Sequence, residues 1–509
     1  MEQKKIALVL SLVLFLAASL RLYKISDFPV LNHDEAAKGY NAYSLIKTGK
    51  SFRGLSWPWY FTDFSDKLPS VAILYQYVDI PSIAAFGLNV RATRFPAVVM
   101  GTATVFILYL LTAIIFKRPR LALLSSFLLA TSPWHIFMSR FGQEPVSFPF
   151  FFLLGWWFLE KSLEDKSIYL FIGMMVLGIS LYSYQIALIL TPAFIFVFLS
   201  VHKSFLFTNG RKYLISILLF LLVISPIVYL YATRPTEMLA HYGEVSIGKL
   251  GNKIYMGFLL NYLTQLLFPL LVFFYLVPTI FFGLTGIPKI MKAALKNHSL
   301  IVIIMTFFLT LIPSALTHNY FLPQPSRSIG KTGLFEMIAA YAMLIIVRKI
   351  QPQKKKVLIA VISLSAFYFL NASVLLKIGF PHYFYSDYGF GYGFRDLVKY
   401  INSTENNYTK IVVTDKANQP FIYFLFYGKY PPEQFISQPV QRKYQEDSPY
   451  PYEIVESFGK YIFCDLQKCW KPNSEKTLYV ARKGELPFLK EKFTVKDPYG
   501  GEFRIIEGL

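Results

Sequence analysis

The chain has 509 residues, of which 54% are hydrophobic and 18% aromatic, and its formal net charge is +21. A mean hydropathy of +0.43 excludes an ordinary soluble globular protein. The basic residues fall in short clusters between long apolar runs instead of forming one patch. This distribution indicates the cytoplasmic loops of a polytopic membrane protein that meets membrane lipids, and it argues against nucleic acid as a partner.

A helix that crosses a bilayer takes about 20 mostly apolar residues, and several of the apolar runs are shorter and need flanking residues to complete the span. Because many such runs follow the first one, we predict that the first is a retained membrane helix and not a cleaved signal peptide. The eleven predicted spans are Ile6–Leu22, Phe95–Phe116, Leu121–Phe137, Phe148–Leu159, Ile168–Ser183, Ile186–Val201, Tyr213–Tyr231, a stretch within Met256–Ile287, Leu300–Ala315, Ile329–Val347 and Val357–Asn371. The predicted fold class is therefore mainly α, a polytopic membrane protein of about eleven transmembrane helices.

The orientation follows from the connectors between these spans. Every second connector is basic, and the positive-inside rule places such connectors in the cytoplasm. They are Lys117–Arg120, Glu160–Lys166, His202–Lys212, Pro288–His298 and Arg348–Lys356. The apolar segment Leu68–Leu88 would turn all of them outward if it crossed the bilayer, so we predict an outer-surface or re-entrant segment there. The N-terminus is predicted in the cytoplasm and the C-terminus outside the plasma membrane.

The composition changes after Asn371. An amphipathic helix is predicted at "RDLVKYINSTE", strands at "KIVVTD", "YIFCDL" and "TLYVARK", and a strand or short helix at "FIYFLFYG". The predicted domains are a transmembrane module at 1–378, with a first outer loop at 23–94, and an extracytoplasmic α/β domain at 379–509. Cys464 and Cys469 lack a zinc-site spacing; they either close a small disulfide loop or are two separate thiols.

Unusual polar residues concentrate in the predicted outer connectors. The first connector contains "LNHDEAAKGYNAYSL", with His33, Asp34, Glu35 and Tyr40. Asp34 could cap an interfacial helix. However, an ionisable pair at a membrane edge is costly unless it meets water or a substrate, which favours a functional role.

Further candidates are of the same chemical kinds. They are Asp66 and Lys67 in "FTDFSDKLPS", Arg140, Gln143 and Glu144 in "SPWHIFMSRFGQEPVSF", Tyr184 in the next outer turn, and Arg327 and Lys331 in "FLPQPSRSIGKTGLFEM". Lys67 could bind a phosphate or merely pair with Asp66, and Arg327 could simply reach toward the interface. Carboxylates beside cations suit transfer of a group from a lipid phosphate. A carboxylate would deprotonate the acceptor, and cations would stabilise the departing phosphate.

These stretches resemble the GT-C superfamily of integral-membrane glycosyltransferases, in its protein O-mannosyltransferase-like and aminoarabinose-transferase-like branch. "NHDEAAKGYNAYSLIKTGKS" is similar to the family's first outer loop, and "DKLPSVAILYQYVDIPSIAAFGLNVRATRFPAVVMGTATVFILYLL" is similar to its next block. "SPWHIFMSRFGQEPVSFPFFFL" and "SLYSYQIALILTPAFIFVF" resemble later blocks. The resemblance covers about the first two hundred residues.

The resemblance implies an inverting transferase that moves one sugar from a polyprenyl-phosphate donor to an extracytoplasmic protein, lipid or cell-envelope acceptor. It assigns catalysis to Asp34, with Glu35 beside it, and to Glu144. It matches Lys67 and Arg140 to basic residues of the family, and Arg327 more loosely. With these three, the other predicted substrate-binding residues are the candidates His33, Tyr40, Asp66, Gln143, Tyr184 and Lys331. Some relatives bind a divalent metal near the first loop, but no ligand set is clear in this sequence, so a metal cofactor is possible and not assigned.

Three alternatives remain open from the sequence. One is an oligosaccharyltransferase or glycan ligase that moves whole glycans. The second is a transporter or flippase for a lipid-linked sugar, which the absence of a convincing internal repeat disfavours. The third is an assembly or sensor protein whose C-terminal domain carries the function.

Overall fold

The structure is a computed structural model that describes residues 2–164, 167–204, 209–245, 292, 298–316, 326–349, 391–444, 452–472, 476–496 and 502–508. The chain forms two compact units. The first comprises Met1–Tyr23, Val71–Leu74 and Ala97–Leu376, and the second comprises Lys24–Ser70, Tyr75–Pro96 and Lys377–Leu509. The spans predicted at Met256–Ile287 and Val357–Asn371 lie outside the described residues, as do most of the connectors at Pro288–His298 and Arg348–Lys356.

The first unit is helical in its described part. Its helices are α1 (Glu2–Leu22), α4 (Val90–Phe116, from Ala97 onward), α5 (Pro119–Ala130), α6 (Pro133–Met138), α7 (Ser147–Ser162), α8 (Ser167–Ser180), α9 (Ala187–Val201), α10 (Gly210–Thr233), α11 (Pro235–Val245), α12 (His298–Leu309), α13 (Ile312–Ala315) and α14 (Leu334–Lys349). Short 3₁₀ helices precede α7 and α14, at Glu144–Val146 and Ile329–Lys331.

Within the described part of the chain, four helical stretches are long and apolar enough to cross a membrane: Gln3–Leu22, Val90–Phe116, Gly210–Thr233 and His298–Ala315. Shorter apolar helices lie at Pro119–Ala130, Ile168–Ser180, Ala187–Val201 and Leu334–Ile345. A polytopic, mainly helical fold is thus confirmed, and the number of eleven spans stays a prediction. The apolar segment Leu68–Leu88 contains a 13-residue helix, α3 (Leu74–Phe86), which is shorter than a membrane span.

Two predicted spans are wrong as continuous α-helices. Ile329–Val347 starts as a 3₁₀ helix that ends at Lys331, and its α-helix begins only at Leu334, after Gly333 at φ +85°. Leu121–Phe137 is divided between α5, which ends at Ala130, and the six-residue α6, which begins at Pro133. Proline lacks the backbone N–H that a continuing helix needs, and it also disfavours helical geometry at the residue before it. Ser132 accordingly has extended backbone angles, and the chain turns there.

Helices α7 and α8 approach each other through glycines. A Cβ atom on Gly155 would lie 2.7 Å from Leu177 Cγ and 3.2 Å from the Gly173 carbonyl oxygen. A Cβ atom on Gly173 would lie 3.1 Å from the Gly155 carbonyl oxygen. Small residues let two apolar helices pack closely where the hydrophobic effect gives little attraction, so this contact suits a membrane environment.

The second unit joins the segment after α1 to the C-terminal residues. It contains α2 (His33–Thr48), α3, the first turns of α4, α15 (Phe394–Thr404), α16 (Pro420–Tyr427), α17 (Pro432–Ser437) and α18 (Leu466–Cys469), with a 3₁₀ turn at Glu405–Asn407. The amphipathic helix predicted at "RDLVKYINSTE" is α15, and the ambiguous segment "FIYFLFYG" is the helix α16.

A seven-stranded mixed sheet organises the C-terminal part, which confirms the predicted α/β composition. Its strands are β1 (Lys410–Thr414), β2 (Gln441–Tyr444), β3 (Glu453–Phe458), β4 (Tyr461–Cys464), β5 (Thr477–Arg482), β6 (Glu491–Lys496) and β7 (Glu502–Glu507), in the order β2-β3-β4-β1-β5-β7-β6. The central β1 runs parallel to β4 and β5, and the outer pairs are antiparallel. Cys464 and Cys469 form a disulfide.

The core of the second unit is rich in aromatic residues and includes one face of α2. Tyr40 and Phe52 pack in the same cluster as Phe421, Phe424 and the sheet residues. Gly39 permits this packing, because a Cβ atom there would lie 2.5 Å from Thr93 Oγ1 and 2.8 Å from the Phe426 ring. The turn of α2 around Gly39 and Tyr40, which follows the polar N-terminus of the helix, is therefore buried in the core of the second unit.

Candidate active site

The N-terminus of α2 is fixed by a capping box. Asn32 is the N-cap residue, and its Oδ1 accepts a hydrogen bond of 2.8 Å from the backbone N–H of Glu35. The Asn32 N–H in turn donates to Glu35 Oε2 at 3.3 Å. These two bonds satisfy backbone donors that a helix start leaves open. The residue that caps the helix is thus Asn32, and Asp34 lies in the first turn.

Both carboxylate oxygens of Glu35 are bound in a buried ion pair with Arg94. Arg94 Nε donates to Glu35 Oε1 and Arg94 Nη2 donates to Glu35 Oε2, both at 2.7 Å, and neither side chain is exposed to solvent. Arg94 Nη1 also donates to the carbonyl oxygens of Ile25 and Pro29, at 2.9 and 2.6 Å. A bidentate arginine–carboxylate pair is strong and geometrically specific. Arg94 therefore ties the segment that enters α2 to the first turns of α4.

Asp34 has the opposite environment. Its side chain is 47% exposed, and its Oδ1 lies 3.6 Å from His33 Nε2. Helix α2 is 16 residues long, and the partial positive charge at its start favours a carboxylate at this place. His33 is less exposed, with its ring against Phe64 at 5.4 Å and its Nε2 at 3.5 Å from Asn418 Nδ2. The structure therefore presents Asp34 to solvent from a well-anchored helix start.

The next turns of α2 contribute buried polar contacts. Lys38 Nζ forms a 2.7 Å ion pair with Asp63 Oδ2, and Asn41 Nδ2 donates to Asp63 Oδ1 at 2.7 Å. The side chains of Lys38 and Asp63 are only 8% and 10% exposed. Tyr40 is fully buried, its hydroxyl donates to the Tyr430 carbonyl oxygen at 2.7 Å, and burial raises its pKa. In this conformation Tyr40 is a core residue.

The Asp66–Lys67 segment lies at the surface of the same unit. Asp66 Oδ1 lies 2.6 Å from Arg53 Nη2, and the Asp66 side chain is 71% exposed. Lys67 is exposed, and its ammonium lies 4.0 Å from the centre of the Tyr444 ring. The predicted surface pairing of Asp66 with Lys67 is thus replaced by a pair of Asp66 with Arg53.

A third acid of this unit is buried. Asp79 on α3 has no exposure, and both of its carboxylate oxygens lack a hydrogen-bond partner within the described residues. Burial, followed by the nearby negative charge of Glu35, raises the pKa of Asp79 well above its ordinary value. Asp79 therefore resists ionisation at pH values where an exposed aspartate is charged.

In the first unit, buried arginines satisfy the carbonyl groups at helix ends. Arg140 Nη1 donates to the carbonyl oxygens of Leu20 and Arg21, at 3.0 and 3.2 Å, where α1 ends. Arg21 Nη1 donates to the Ala130 carbonyl oxygen at 3.1 Å, where α5 ends. Arg21 Nη2 is also 2.7 Å from His135 Nδ1. Cations at helix C-termini are stabilising, which gives Arg140 a structural task in this conformation.

The remaining candidates of the first unit occupy turns and helix starts. Gln143 precedes the 3₁₀ helix that Glu144 begins, and both are half-buried. Tyr184 is half-buried, and its carbonyl oxygen accepts a hydrogen bond from Ala187 N–H at the start of α9. Arg327 is half-buried, and Lys331 is buried at the end of the 3₁₀ helix before α14. These residues keep their candidate status from the sequence.

The described residues do not provide a set of side chains that could bind a metal ion. No group of three or more His, Cys, Asp or Glu side chains is close enough there to hold an ion. At the start of α2, His33 and Asp34 are neighbours, but the carboxylate of Glu35 is engaged by Arg94. The described residues at this place therefore do not fit a metal centre.

Sequence reasoning missed several residues that shape this site. The capping box was visible as Asn32 three residues before Glu35. Arg94 lies in the quoted "RATRFP" stretch, but its partner is 59 positions away. Glu453, which binds Arg53 from the C-terminal sheet, is 400 positions away and carried no local signal.

Part of the chain is similar in sequence to known mannosyltransferases. Residues 70–230 match the family model of dolichyl-phosphate-mannose-protein mannosyltransferases, which is less than half of the chain. A 210-residue stretch is 26% identical to the Bacillus subtilis (strain 168) protein named "Putative mannosyltransferase YkcB". That alignment covers 39% of this chain and 27% of the relative, so the chain spans well under two thirds of the relative's length.

Solved structures are similar over much more of the chain. ArnT from Cupriavidus metallidurans, bound to undecaprenyl phosphate, superposes with a TM-score of 0.64 at 10% identity, covering 99% of this chain and 98% of ArnT. The oligosaccharyltransferase AglB from Archaeoglobus fulgidus, in complex with an inhibitory peptide and a dolichol-phosphate, gives a TM-score of 0.55 at 12% identity, covering 83% of this chain and 63% of AglB. The resemblance found in the sequence is thus confirmed, and the chain has the fold of the GT-C integral-membrane glycosyltransferases.

Proposed function

We propose that this protein is an inverting glycosyltransferase that moves a single sugar from a polyprenyl-phosphate donor to an acceptor outside the membrane. One observation carries the proposal. Of the adjacent acids Asp34 and Glu35, the first is 47% exposed at an anchored helix start and the second is held by Arg94. A general base needs both accessibility and a fixed position, and Asp34 has both.

In the proposed reaction, Asp34 accepts the proton of the acceptor hydroxyl while the acceptor oxygen attacks the anomeric carbon. The bond between that carbon and the lipid phosphate breaks on the opposite face, so the configuration inverts and the polyprenyl phosphate leaves. The phosphate charge is stabilised by Lys67, an exposed cation of the second unit. Lys67 follows Phe64, whose ring contacts His33 at 5.4 Å, so its segment packs beside the start of α2.

The buried candidates receive other roles. We assign Glu35 as a positioning residue, because both of its oxygens are bonded to Arg94. Arg140 supports the end of α1, and Tyr40 supports the core. Glu144, which the family resemblance matches, remains a proposed catalytic contact. Gln143, Tyr184, Arg327 and Lys331 remain proposed substrate contacts, as candidates from the sequence.

Supporting observations come from the relatives. The ArnT structure holds undecaprenyl phosphate and the AglB structure holds a dolichol-phosphate, which is consistent with a lipid-phosphate donor here.

The proposed topology has a cytoplasmic N-terminus, with Asp34 and the C-terminal domain outside the plasma membrane. Labelling of single introduced cysteines beside Asp34 and at the N-terminus, in a variant that lacks Cys464 and Cys469, tests this topology in intact cells.

The decisive experiment is sugar transfer by purified protein in lipid nanodiscs. Radiolabelled polyprenyl-phosphate sugars are supplied with extracted envelope acceptors, and the anomeric configuration of the product is read by NMR. Asp34→Asn is expected to lower turnover by about 10²- to 10⁴-fold, as loss of a general base does. Asp27→Asn is the matched control, because Asp27 is an exposed acid of the same segment, 59% exposed and paired with Arg395.

Two further measurements separate the alternatives. Addition of several sugar residues at once, read by mass spectrometry, would identify a glycan ligase, for which the similarity to AglB is the supporting observation. Movement of lipid-linked sugar across proteoliposomes without transfer to any acceptor would identify a transporter. Unchanged turnover in Asp34→Asn would remove Asp34 from its role.

A further inference from the structure

The C-terminal sheet holds the Asp66–Lys67 segment through one buried carboxylate. Glu453, the first residue of β3, has a side chain that is 8% exposed. Its Oε2 accepts a 2.9 Å hydrogen bond from Arg53 Nη1, and its Oε1 accepts one of 2.9 Å from the backbone N–H of Asp66. Arg53 and Asp66 are 400 and 387 positions away from Glu453 in the sequence.

The backbone of Glu453 makes further bonds to the same region. Its N–H donates to the Phe64 carbonyl oxygen at 2.8 Å, and its carbonyl oxygen accepts from Gln419 Nε2 at 3.1 Å. One residue of the sheet thus bonds Phe64, Asp66 and Arg53 of the first-loop segment. Charge-assisted hydrogen bonds of this kind are about twice as strong as neutral ones, so Glu453 fixes the backbone immediately before Lys67.

Arg53 completes the arrangement between two acids. Its Nη2 lies 2.6 Å from Asp66 Oδ1 while its Nη1 binds Glu453, and its side chain is 7% exposed. Burial alone would lower the pKa of Arg53, but its hydrogen bonds to Glu453 and Asp66 outweigh burial and raise it. The guanidinium therefore stays charged, and the pair is a lasting connection between the loop and the sheet.

The neighbouring edge strand places an aromatic ring at the lysine itself. Tyr444 on β2 lies directly across from Glu453 on β3. Its ring centre is 4.0 Å from the Lys67 ammonium, which is a cation–π distance. Such a contact limits the positions of a flexible lysine side chain without neutralising its charge.

We propose that Glu453 and Tyr444 are positioning residues that hold Lys67 ready to bind the phosphate of the lipid-linked donor. This rests on the proposed function in taking Lys67 as the phosphate ligand. It gives the C-terminal sheet a defined part in the reaction, because the residues that orient the donor's cation come from β2 and β3. Neither residue touches the sugar or the acceptor in this proposal.

The first measurement needs no catalytic activity. Hydrogen exchange of the Asp66 amide is compared in wild type, Glu453→Ala and Glu456→Gln. Glu456 is the matched control, since it lies on the same strand, pairs with Lys443 at 3.1 Å and is 39% exposed. We expect exchange of the Asp66 amide to rise at least about tenfold in Glu453→Ala, because its acceptor is removed, and to stay unchanged in Glu456→Gln.

The second measurement is binding of a polyprenyl phosphate without sugar to the protein in nanodiscs. We expect Tyr444→Leu to weaken binding about two- to fivefold, the range of an exposed cation–π contact. Tyr444→Phe should retain most of the binding, because it keeps the ring and loses only the hydrogen bond between the tyrosine hydroxyl and Glu453. Glu453→Ala should weaken binding at least as much as Tyr444→Leu does. In transfer assays, Glu453→Ala and Tyr444→Leu should each raise the KM for the donor and leave the KM for the acceptor unchanged.

The outcomes are separable from those of the proposed function. If the variants change exchange and phosphate binding as expected while no donor supports transfer, the positioning role stands and the transferase proposal fails. If Glu453→Ala loosens the Asp66 amide but both it and Tyr444→Leu bind the polyprenyl phosphate like wild type, the positioning role is overturned. Because Tyr444 is 41% exposed on an edge strand, its variants are expected to fold even where Glu453→Ala does not.

Discussion

The buried pair between Glu35 and Arg94 gives the sharpest test of how the start of α2 is held. Glu35→Gln keeps the size of the side chain and removes its charge, which leaves the fully buried Arg94 guanidinium without this countercharge. Removing one partner of a buried ion pair costs about 3–5 kcal/mol. Local opening of the helix start should then become about 10²- to 10⁴-fold more frequent, since 1.36 kcal/mol corresponds to a factor of ten.

Hydrogen exchange read by mass spectrometry measures this opening directly. The informative amides are those of Glu35, which donates to the Asn32 side chain, and Ala36, which donates to the Asn32 carbonyl oxygen. Asp34→Asn is the matched control, because it removes a half-exposed charge from the same turn, and its exchange should change by less than about tenfold. Glu35→Gln combined with Arg94→Met should recover most of the protection, because no buried charge is left uncompensated.

Activity and exchange together distinguish the two acids. Glu35→Gln should lose transfer with an unprotected helix start, whereas Asp34→Asn should lose transfer with the helix start still protected. Wild-type exchange rates in Glu35→Gln would refute the argument that the Arg94 pair holds Asp34 in place. Equal loss of protection in both variants would also refute it, because Asp34 would then be part of the anchor.

Two other substitutions test the buried ionisable groups of the second unit. Asp79 has a raised pKa, so the unfolded chain ionises it from about pH 4 upward while the folded protein does not, and stability is lost as the pH rises through the raised value. Asp79→Asn should therefore be more stable than wild type, and its advantage in free energy of unfolding should grow by up to about 1.4 kcal/mol for each pH unit above pH 4. Thermal unfolding at several pH values checks this, and a gain in Tm that does not depend on pH would contradict it. Asp63→Asn should lower the free energy of unfolding by about 3 kcal/mol, because Lys38 stays buried, and adding Lys38→Met should restore most of the Tm.

Much of the fold could be predicted from the sequence because its signals are local. The described spans and the C-terminal strands β1, β4 and β5 follow from runs of apolar residues that a single window reveals. The break at Pro133 was missed because a run of apolar residues continued across it. The edge strand β2 was missed because its four residues are polar and exposed, so no periodicity marks it.

In the candidate site, too, the residues with a local signal could be predicted and their long-range partners could not. His33, Asp34 and Glu35 were found because charged residues beside an apolar run are rare. Their partners are long-range: Arg94 is 59 positions from Glu35. One sequence cannot tell which arginine a buried glutamate meets, because the choice is made by tertiary packing. The sequence therefore suggested that the acids matter, and only the structure separated the held acid from the exposed one.

Helix geometry gives a reason why adjacent acids have such different environments. Successive side chains on a helix point about 100° apart, so a residue at the third helical position can turn back to the N-cap while its predecessor points elsewhere. Glu35 occupies that third position after Asn32 and faces Arg94 in the interior. Asp34 is then directed outward by the same bonds that bury Glu35. If the order of the two acids were reversed, the aspartate at the third position would be too short by one methylene to make both the cap and the bidentate pair. The glutamate would stand exposed on a longer, less constrained side chain. The order Asp-Glu thus gives a rigid anchor and a short, well-placed acid in the same turn, which is the arrangement that the proposed general base requires.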